Sequence, residues 1–330
     1  MAIKYSVLDL ATIIKGDNLN QTFDKSVRAA QKAEELGFTR YWFSEHHNMP
    51  NVASAATSIL IGHVASQTKT LRIGSGGIML PNHSTLSVAE QFGTLEALYP
   101  NRIDLGLGRA PGTDMLTASI LRRGQLDNTY NFEFHIQELR QYLSEENRYS
   151  KVRAIPGEGA DVPLYILGSS TDSAFLAAKL GLPYAFAAHF APSQMEVAFE
   201  IYEEHFQPSD VLNKPYKMAC INIIAADTVE QAHYLSTSHF QAFVNILTDQ
   251  RQPLLPPEET QLGDMSNELA VHLNRMAAKT FVGDKDLLEK KLSDFVKLNK
   301  VDEIIVSGHI YDFDAKLHSY EIAAEVLKAL

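Results

Sequence analysis

Eight times along the chain a run of four to eight apolar residues gives way to an amphipathic stretch of helical period, and few architectures accept that repeat. Parallel strands joined by helices do. The strands are predicted at residues 5–10, 40–45, 71–75, 102–107, 164–167, 184–187, 218–225 and 303–307. Helices are predicted at 22–36, 53–66, 86–98, 132–145, 172–180, 193–206, 229–247 and 315–327, with an extra one at 284–298 before the last strand. Eight such units, each with a glycine or polar residue where the strand ends, fit a closed α/β barrel of the (β/α)8, or TIM, type better than an open sheet. No linker interrupts them, so residues 1–330 are expected to form a single domain.

Two stretches break the repeat. Residues 249–275, an insertion between the seventh and eighth strands, carry Pro253, Pro256 and Pro257 among polar residues and are too rich in proline for one helix. A lid and a plain surface excursion both fit that length. Between Glu45 and Glu90 the only charged residues are Lys69 and Arg72, two in 44 positions where the chain-wide 21% predicts about nine. The helix at 53–66 has no charge on any face, whereas an outer barrel helix normally shows water a charged stripe. A homodimer contact through this helix is expected; cover by the protein's own loops is the alternative.

Composition excludes several classes of function. With 45% apolar residues and no stretch near 18 consecutive apolar positions, neither a disordered chain nor a membrane span is expected. Twenty-nine basic against 40 acidic residues leave a net charge of -11 and no basic patch, which argues against nucleic acid and acidic membrane surfaces as partners. Cys220 is the only cysteine, so an internal disulfide is impossible. The first residues read as a strand rather than a basic leader with a cleavage site, and a cytoplasmic location is expected.

Four motifs fall at predicted strand ends, where barrels carry their active sites. Glu45, His46 and His47 end the second strand; side chains alternate there, so the two imidazoles diverge. Diverging neighbours cannot chelate one metal, the chain has neither His-x-His nor His-Glu-x-x-His, and no metal site is expected. Gly74-Ser75-Gly76-Gly77 ends the third strand and fits either a ledge of bare backbone beneath a flat ligand or a tight turn at the rim. Arg109 lies in Gly106-Leu107-Gly108-Arg109-Ala110-Pro111-Gly112 after the fourth strand, a sequence that departs from the dinucleotide-binding pattern because Pro111 stands where the third glycine belongs. Its planar fork suits a phosphate, and a surface ion pair is the competing role. Leu167-Gly168-Ser169-Ser170-Thr171-Asp172 follows the fifth strand, with three hydroxyls and free backbone N–H groups at a helix start forming an anion site. Arg109 and Ser169 to Thr171 come from adjacent strands and are placed to share one phosphate.

Taken in order and spacing, Phe43-Ser44-Glu45-His46-His47, the segments at 71–81 and 102–112, Leu167 to Thr171, and Gly181-Leu182-Pro183 resemble the bacterial luciferase-like flavin monooxygenase family, in particular its short luciferase-independent branch. The resemblance covers nearly the whole chain and implies the same barrel, binding FMN, or in another branch F420, at the carboxyl ends of the strands. It implies Arg109, Ser169 and Ser170, with Leu167 and Gly168, as the phosphate end of the cofactor site. It further implies a cis peptide at Gly76-Gly77 under the flavin ring, His46 as the catalytic histidine, and His189 as a ring beside the flavin. The thiol that luciferase has near the flavin is replaced here by Gly108. The implied reaction is oxidation of a small organic substrate such as an aldehyde by O2 and reduced FMN, delivered by a separate flavin reductase, through a C4a-hydroperoxide. Residues 253–257 would shield it from water. F420- or NAD(P)H-linked flavin chemistry without oxygenation, and a non-catalytic flavin-binding protein, are the alternatives. Met79, Tyr130, Phe132, Phe190 and Tyr311 are candidate pocket residues, although any core would place similar residues.

Overall fold

The structure, a computed structural model, describes residues 3–124, 131–258 and 265–330. Seven parallel strands follow in order: β1 (Lys4–Asp9), β2 (Arg40–Phe43), β3 (Arg72–Met79), β4 (Ile103–Gly108), β5 (Leu164–Gly168), β6 (Tyr184–Phe186) and β7 (Lys217–Ala225). Strand β8 (Thr280–Gly283) comes next and β9 (Glu303–Ser307) last. Each of β1 to β6 pairs with its successor, β6 pairs with β7, β7 with β9, and β9 with β1, which closes an eight-stranded parallel barrel. Strand β8 stands outside that ring and adds to the carboxyl half of β7, with Asn222 to Ala225 opposite Thr280 to Gly283. This strand was not expected: four residues between two helices carry no alternation long enough to read.

The period-two pattern sorts the core into two layers. Leu8, Trp42, Tyr165, Ala185, Met218, Cys220 and Ile305 point into the barrel. Their neighbours Val7, Phe43, Ile166, Ala219, Ile221, Ile304 and Val306 point outward and are buried beneath the helices. Helices α1 (Leu19–Glu35), α2 (Thr57–Ala65), α3 (Thr85–Leu98), α4 (Met115–Leu121), α5 (Phe132–Leu143), α6 (Thr171–Leu180) and α7 (Met195–Glu204) follow the first six strands. They are succeeded by α8 (Val229–Leu247), α9 (Asn267–Met276), α10 (Lys285–Asn299) and α11 (Phe313–Ala329). Side-chain caps fix several starts: Asn18 with Gln21 in a reciprocal box, Thr228, Asp284 and Asp312.

Three expectations are corrected. Strand β2 stops at Phe43, not 45, and the helix at 53–66 shortens to α2, residues 57–65. Strand β3 does not end at its glycines but runs through them to Met79, its register against β4 shifting between Ser75 and Ile78. The shift needs the missing side chains: a Cβ on Gly77 would lie 2.6 Å from the Gly106 carbonyl oxygen, and one on Gly106 2.3 Å from that of Ser75. Within the insertion, Leu254 docks as a single parallel bridge beside residues 13–15, and α9 forms downstream of the prolines.

Candidate active site

At the carboxyl mouth of the barrel the strand alternation persists past the end of β2. His46 Nδ1 lies 3.1 Å from the Ser44 hydroxyl on one side, while His47 Nε2 donates to Glu45 on the other at 2.8 Å. The two imidazoles do diverge. Glu45 is buried and also accepts from His83 Nε2 at 2.8 Å and from the Met79 backbone N–H at 3.0 Å. Burial alone would raise its pKa, but the hydrogen bonds from His47 and His83 prevail and lower it to about 2. Glu45 is therefore a fixed anion that ties the end of β2 to the turn after β3. His83 was missed in the sequence, although it lies only four residues beyond Met79.

His46 lies within electrostatic reach of His189, which neighbours His309 and His239 in turn. Desolvation pulls the His46 pKa down to about 4, against the opposing pull of Glu45 and with help from His47 and Arg251. His189, after β6, is lowered to about 3, again by desolvation first and then by His46 and His309. Its Nδ1 is buried with no hydrogen-bond partner, and Phe190 stands edge-on to its ring at 4.9 Å. His309, two residues past β9, has Nδ1 3.3 Å from the Thr12 hydroxyl. His239 on α8 is buried, lies tilted against the Phe243 ring at 4.2 Å, and accepts the His309 backbone N–H at Nδ1, which puts its own proton on Nε2. That Nε2 has no partner. At neutral pH these rings are uncharged. Both His309 and His239 were missed in the sequence: the first had a signal in its place after a strand end, the second, in mid-helix, had none.

Arg109 takes an exposed ion pair in the structure, at the start of α6. Strands β4 and β5 are neighbours, and Arg109, just past β4, reaches Asp172 in the first turn of α6 at 3.3 Å. Ser169 and Ser170 precede that turn, and Ser170, the N-cap, makes no side-chain cap hydrogen bond. Gly168 admits no side chain there, because a Cβ would fall 2.0 Å from the Ser173 hydroxyl. Leu167 lies inside the barrel layer of β5. The Gly76–Gly77 peptide is cis, and a Cβ on Gly76 would come within 2.7 Å of Leu8 and 3.1 Å of Trp42, so the backbone there sits directly on the barrel core.

Of the pocket candidates, Met79 packs against the position of Gly108, and Tyr311 donates to the Lys15 carbonyl at 3.1 Å on the rim. Phe132 is a correction: it is 4% exposed and belongs to the core under the helices, because its place at the start of α5 turns it inward. Tyr130 lies outside the described residues. Among the described residues no group of three or more histidine, cysteine, aspartate or glutamate side chains is arranged to hold a metal ion, and no helix is long and apolar enough to cross a membrane.

A ledge of bare backbone, an anion corner and uncharged imidazoles with unpaired nitrogens fit a flat, phosphate-bearing aromatic cofactor. The profile of the luciferase-like monooxygenase family matches residues 3–299. An Escherichia coli strain K12 protein called luciferase-like monooxygenase is 46% identical, with 99% of this chain and 98% of that one covered. The N-acetyl-S-alkylcysteine monooxygenase of Bacillus subtilis is 30% identical over 99% of both. Among solved structures, apo-MsnO8 superposes with a TM-score of 0.88 at 29% identity, covering 98% of both chains. The fold is also shared by the oxygenating constituent of 3,6-diketocamphane monooxygenase from Pseudomonas putida, in complex with FMN (TM-score 0.72, 16% identity, 98% and 97% covered). It is shared too by an F420-dependent secondary alcohol dehydrogenase (0.68, 16%, 99% and 98%). The chain belongs to the luciferase-like monooxygenase family and is a flavin-type oxidoreductase.

Proposed function

We propose that this protein binds reduced FMN at the barrel mouth and uses it with O2 to oxidise a small organic substrate. The observation that carries the reading is the convergence, at one end of one barrel, of Arg109 beside the α6 start, the Gly76–Gly77 ledge, and His46 and His189. Arg109, Ser169 and Ser170 hold the phosphate, Leu167 and Gly168 flank it, and His189 borders the ring. Reduced flavin, when bound there, would supply the electrons that activate O2. His46, neutral at physiological pH and oriented by Ser44, holds or passes a proton at the reacting centre. Residues 253–257, pinned through Leu254 beside residues 13–15, would limit the access of water.

An aldehyde is the first substrate to assay, and the Bacillus subtilis relative adds S-alkylated N-acetylcysteine derivatives. A separate reductase would deliver the reduced flavin in the cytoplasm. Reconstitution with FMN and with F420, followed by O2 uptake with and without these substrates, tests the reading. Substrate-dependent uptake with reduced FMN is expected. Reduction by F420 alone, or uptake that ends only in H2O2 whatever is added, would overturn it.

We propose further that two copies pair through α2. The exposed residues on it and at its two ends, Ala55, Ala56, Ile59, His63 and Ser66, include no acidic residue, lysine or arginine, and Ile59 is 70% exposed. A lysine at Ala56 is expected to halve the mass in solution; a monomeric wild type would dispose of the dimer.

A further inference from the structure

Three of the inward-facing columns of the barrel end in an imidazole. On β2 the inward residues Arg40 and Trp42 are followed at the same parity by Ser44 and His46, and on β6 Ala185 is followed by Ala187 and His189. On β9 Glu303 and Ile305 are followed by Ser307 and His309. The proposed reaction uses the first two rings and leaves His309 without a role. Because β1 pairs with β2 on one edge and with β9 on the other, His46 and His309 flank the end of β1.

These two rings are held alike. His46 Nδ1 lies 3.1 Å from the Ser44 hydroxyl, and His309 Nδ1 lies 3.3 Å from the Thr12 hydroxyl. Thr12 is itself fixed, by an antiparallel bridge to Val52 and by the preceding turn, in which buried Asp9 accepts the Ala11 N–H at 3.0 Å. The His309 main chain is fixed as well: Gly308, at φ +139°, makes the turn, and the next N–H reaches His239 Nδ1 at 3.3 Å. The Thr12 hydroxyl has no other hydrogen-bond partner among the described residues, so its proton goes to Nδ1 and the ring's own proton to Nε2. That Nε2 has no partner among the described residues and, unlike His189 Nδ1 and His239 Nε2, is not closed to contact. Desolvation, with Lys316 adding to it, lowers the ring pKa to about 4, and at neutral pH the group is an uncharged donor.

We propose that His309 is a substrate-binding residue of this mouth, its Nε2–H donating to an uncharged acceptor oxygen, such as a carbonyl, of the molecule being oxidised, with Thr12 as its positioning residue. A neutral imidazole offers a hydrogen bond without a charge, which suits a carbonyl oxygen that leaves the water with its substrate better than a carboxylate that would have to be desolvated unpaired. The inference rests on the reading of the mouth as a flavin-dependent oxidation site, but its first test does not require turnover.

That test uses the full-length protein with isotope-labelled histidine, read by nitrogen NMR, and butanamide as an unreactive carbonyl probe. The His309 ring is assigned by its loss in His309→Gln. Wild type is expected to show one neutral tautomer, protonated at Nε2, between about pH 6 and 8. Butanamide is expected to shift that Nε2 resonance, and butyrate to shift it less. Thr12→Val is expected to shift Nδ1 and to weaken butanamide binding about 2 to 12-fold, the range for one neutral hydrogen bond. A ring protonated at Nδ1, or an Nε2 that meets only water and does not respond to butanamide, overturns the proposal. In turnover, His309→Phe is expected to raise the KM for an aldehyde by the same factor, with FMN affinity and urea midpoint close to wild type, and His309→Gln to recover part of the loss. An unchanged KM in His309→Phe overturns it too. FMN fluorescence quenching in the same samples separates the two claims: a butanamide shift without quenching overturns the flavin reading alone, and quenching without the shift overturns the role of His309 alone.

Discussion

The two ends of this barrel treat buried polar groups in opposite ways. At the amino end, inside the barrel, Arg40 donates to Glu303 at 2.8 and 3.2 Å, to Asp104 at 2.9 Å and to the Tyr165 hydroxyl at 2.6 Å. Trp42 Nε1 and Arg72 complete Asp104, and Tyr216 and Ser6 complete Glu303. Burial would lower the Arg40 pKa, yet Glu303 and Asp104 raise it well above the usual value, and the network carries its charges fully paired. At the carboxyl end, Asn51 Oδ1, His189 Nδ1 and His239 Nε2 are buried without a partner. Each such atom costs about 1–3 kcal/mol. Inside the barrel, then, the amino end is fully paired while the carboxyl mouth keeps unpartnered atoms, and Glu96 Oε2, among the outer elements at the amino end, is the exception to that division.

That contrast can be broken most directly at Arg40. Arg40→Met removes the guanidinium that pairs buried Glu303 and one of the two that pair Asp104, and a loss of about 3–5 kcal/mol in urea unfolding is expected. A loss below 1 kcal/mol would show that the amino end is not the stabilising plug. His46→Ala is the converse. Its denaturation midpoint should stay close to wild type while product formation falls about 10^2 to 10^4-fold, and undiminished turnover would remove His46 from the chemistry. Arg109→Ala comes next. The ion pair it loses joins two exposed side chains and contributes little to stability. FMN affinity should fall about 10 to 100-fold and riboflavin affinity hardly at all; equal losses for both would refute the phosphate role.

The smallest expected effect is on pH dependence. His46, His189 and His309 have folded pKa values of about 4, 3 and 4, below the ordinary 6.5, with desolvation the main cause in each. Between about pH 4 and 6.5 the unfolded chain therefore binds more protons than the folded one. Stability is complete above pH 6.5 and is lost as pH falls through that window. His189→Phe should flatten the slope of unfolding free energy against pH by about one proton. An unaltered slope would mean that the ring is already charged or solvated at the mouth.

Particular residues show where sequence reasoning reached and where it stopped. His46 and Arg109 follow strands whose apolar runs are plain, so their place at the carboxyl rim was legible. Gly76 and Gly77 drew attention as glycines but were read as the end of a strand. That they lie inside β3 depends on how closely β4 approaches, which no local pattern reports. His239 is one polar residue in a helix, indistinguishable in one dimension from a solvent-facing position, and Arg251 sits in a proline-rich stretch without periodicity.

What the sequence determined by itself was the repeat of buried runs and amphipathic helices, hence the barrel, and hence which end of each strand bears the chemistry. Burial is written locally, in the alternation of a few neighbouring side chains. Only the tertiary structure decided that residues 46, 189, 239 and 309 share one mouth, that residue 251 reaches the neighbourhood of 51, and which of their atoms go without partners. Those are properties of the closed ring, in which strands far apart in sequence are brought face to face, and no window of the chain shorter than the ring contains them.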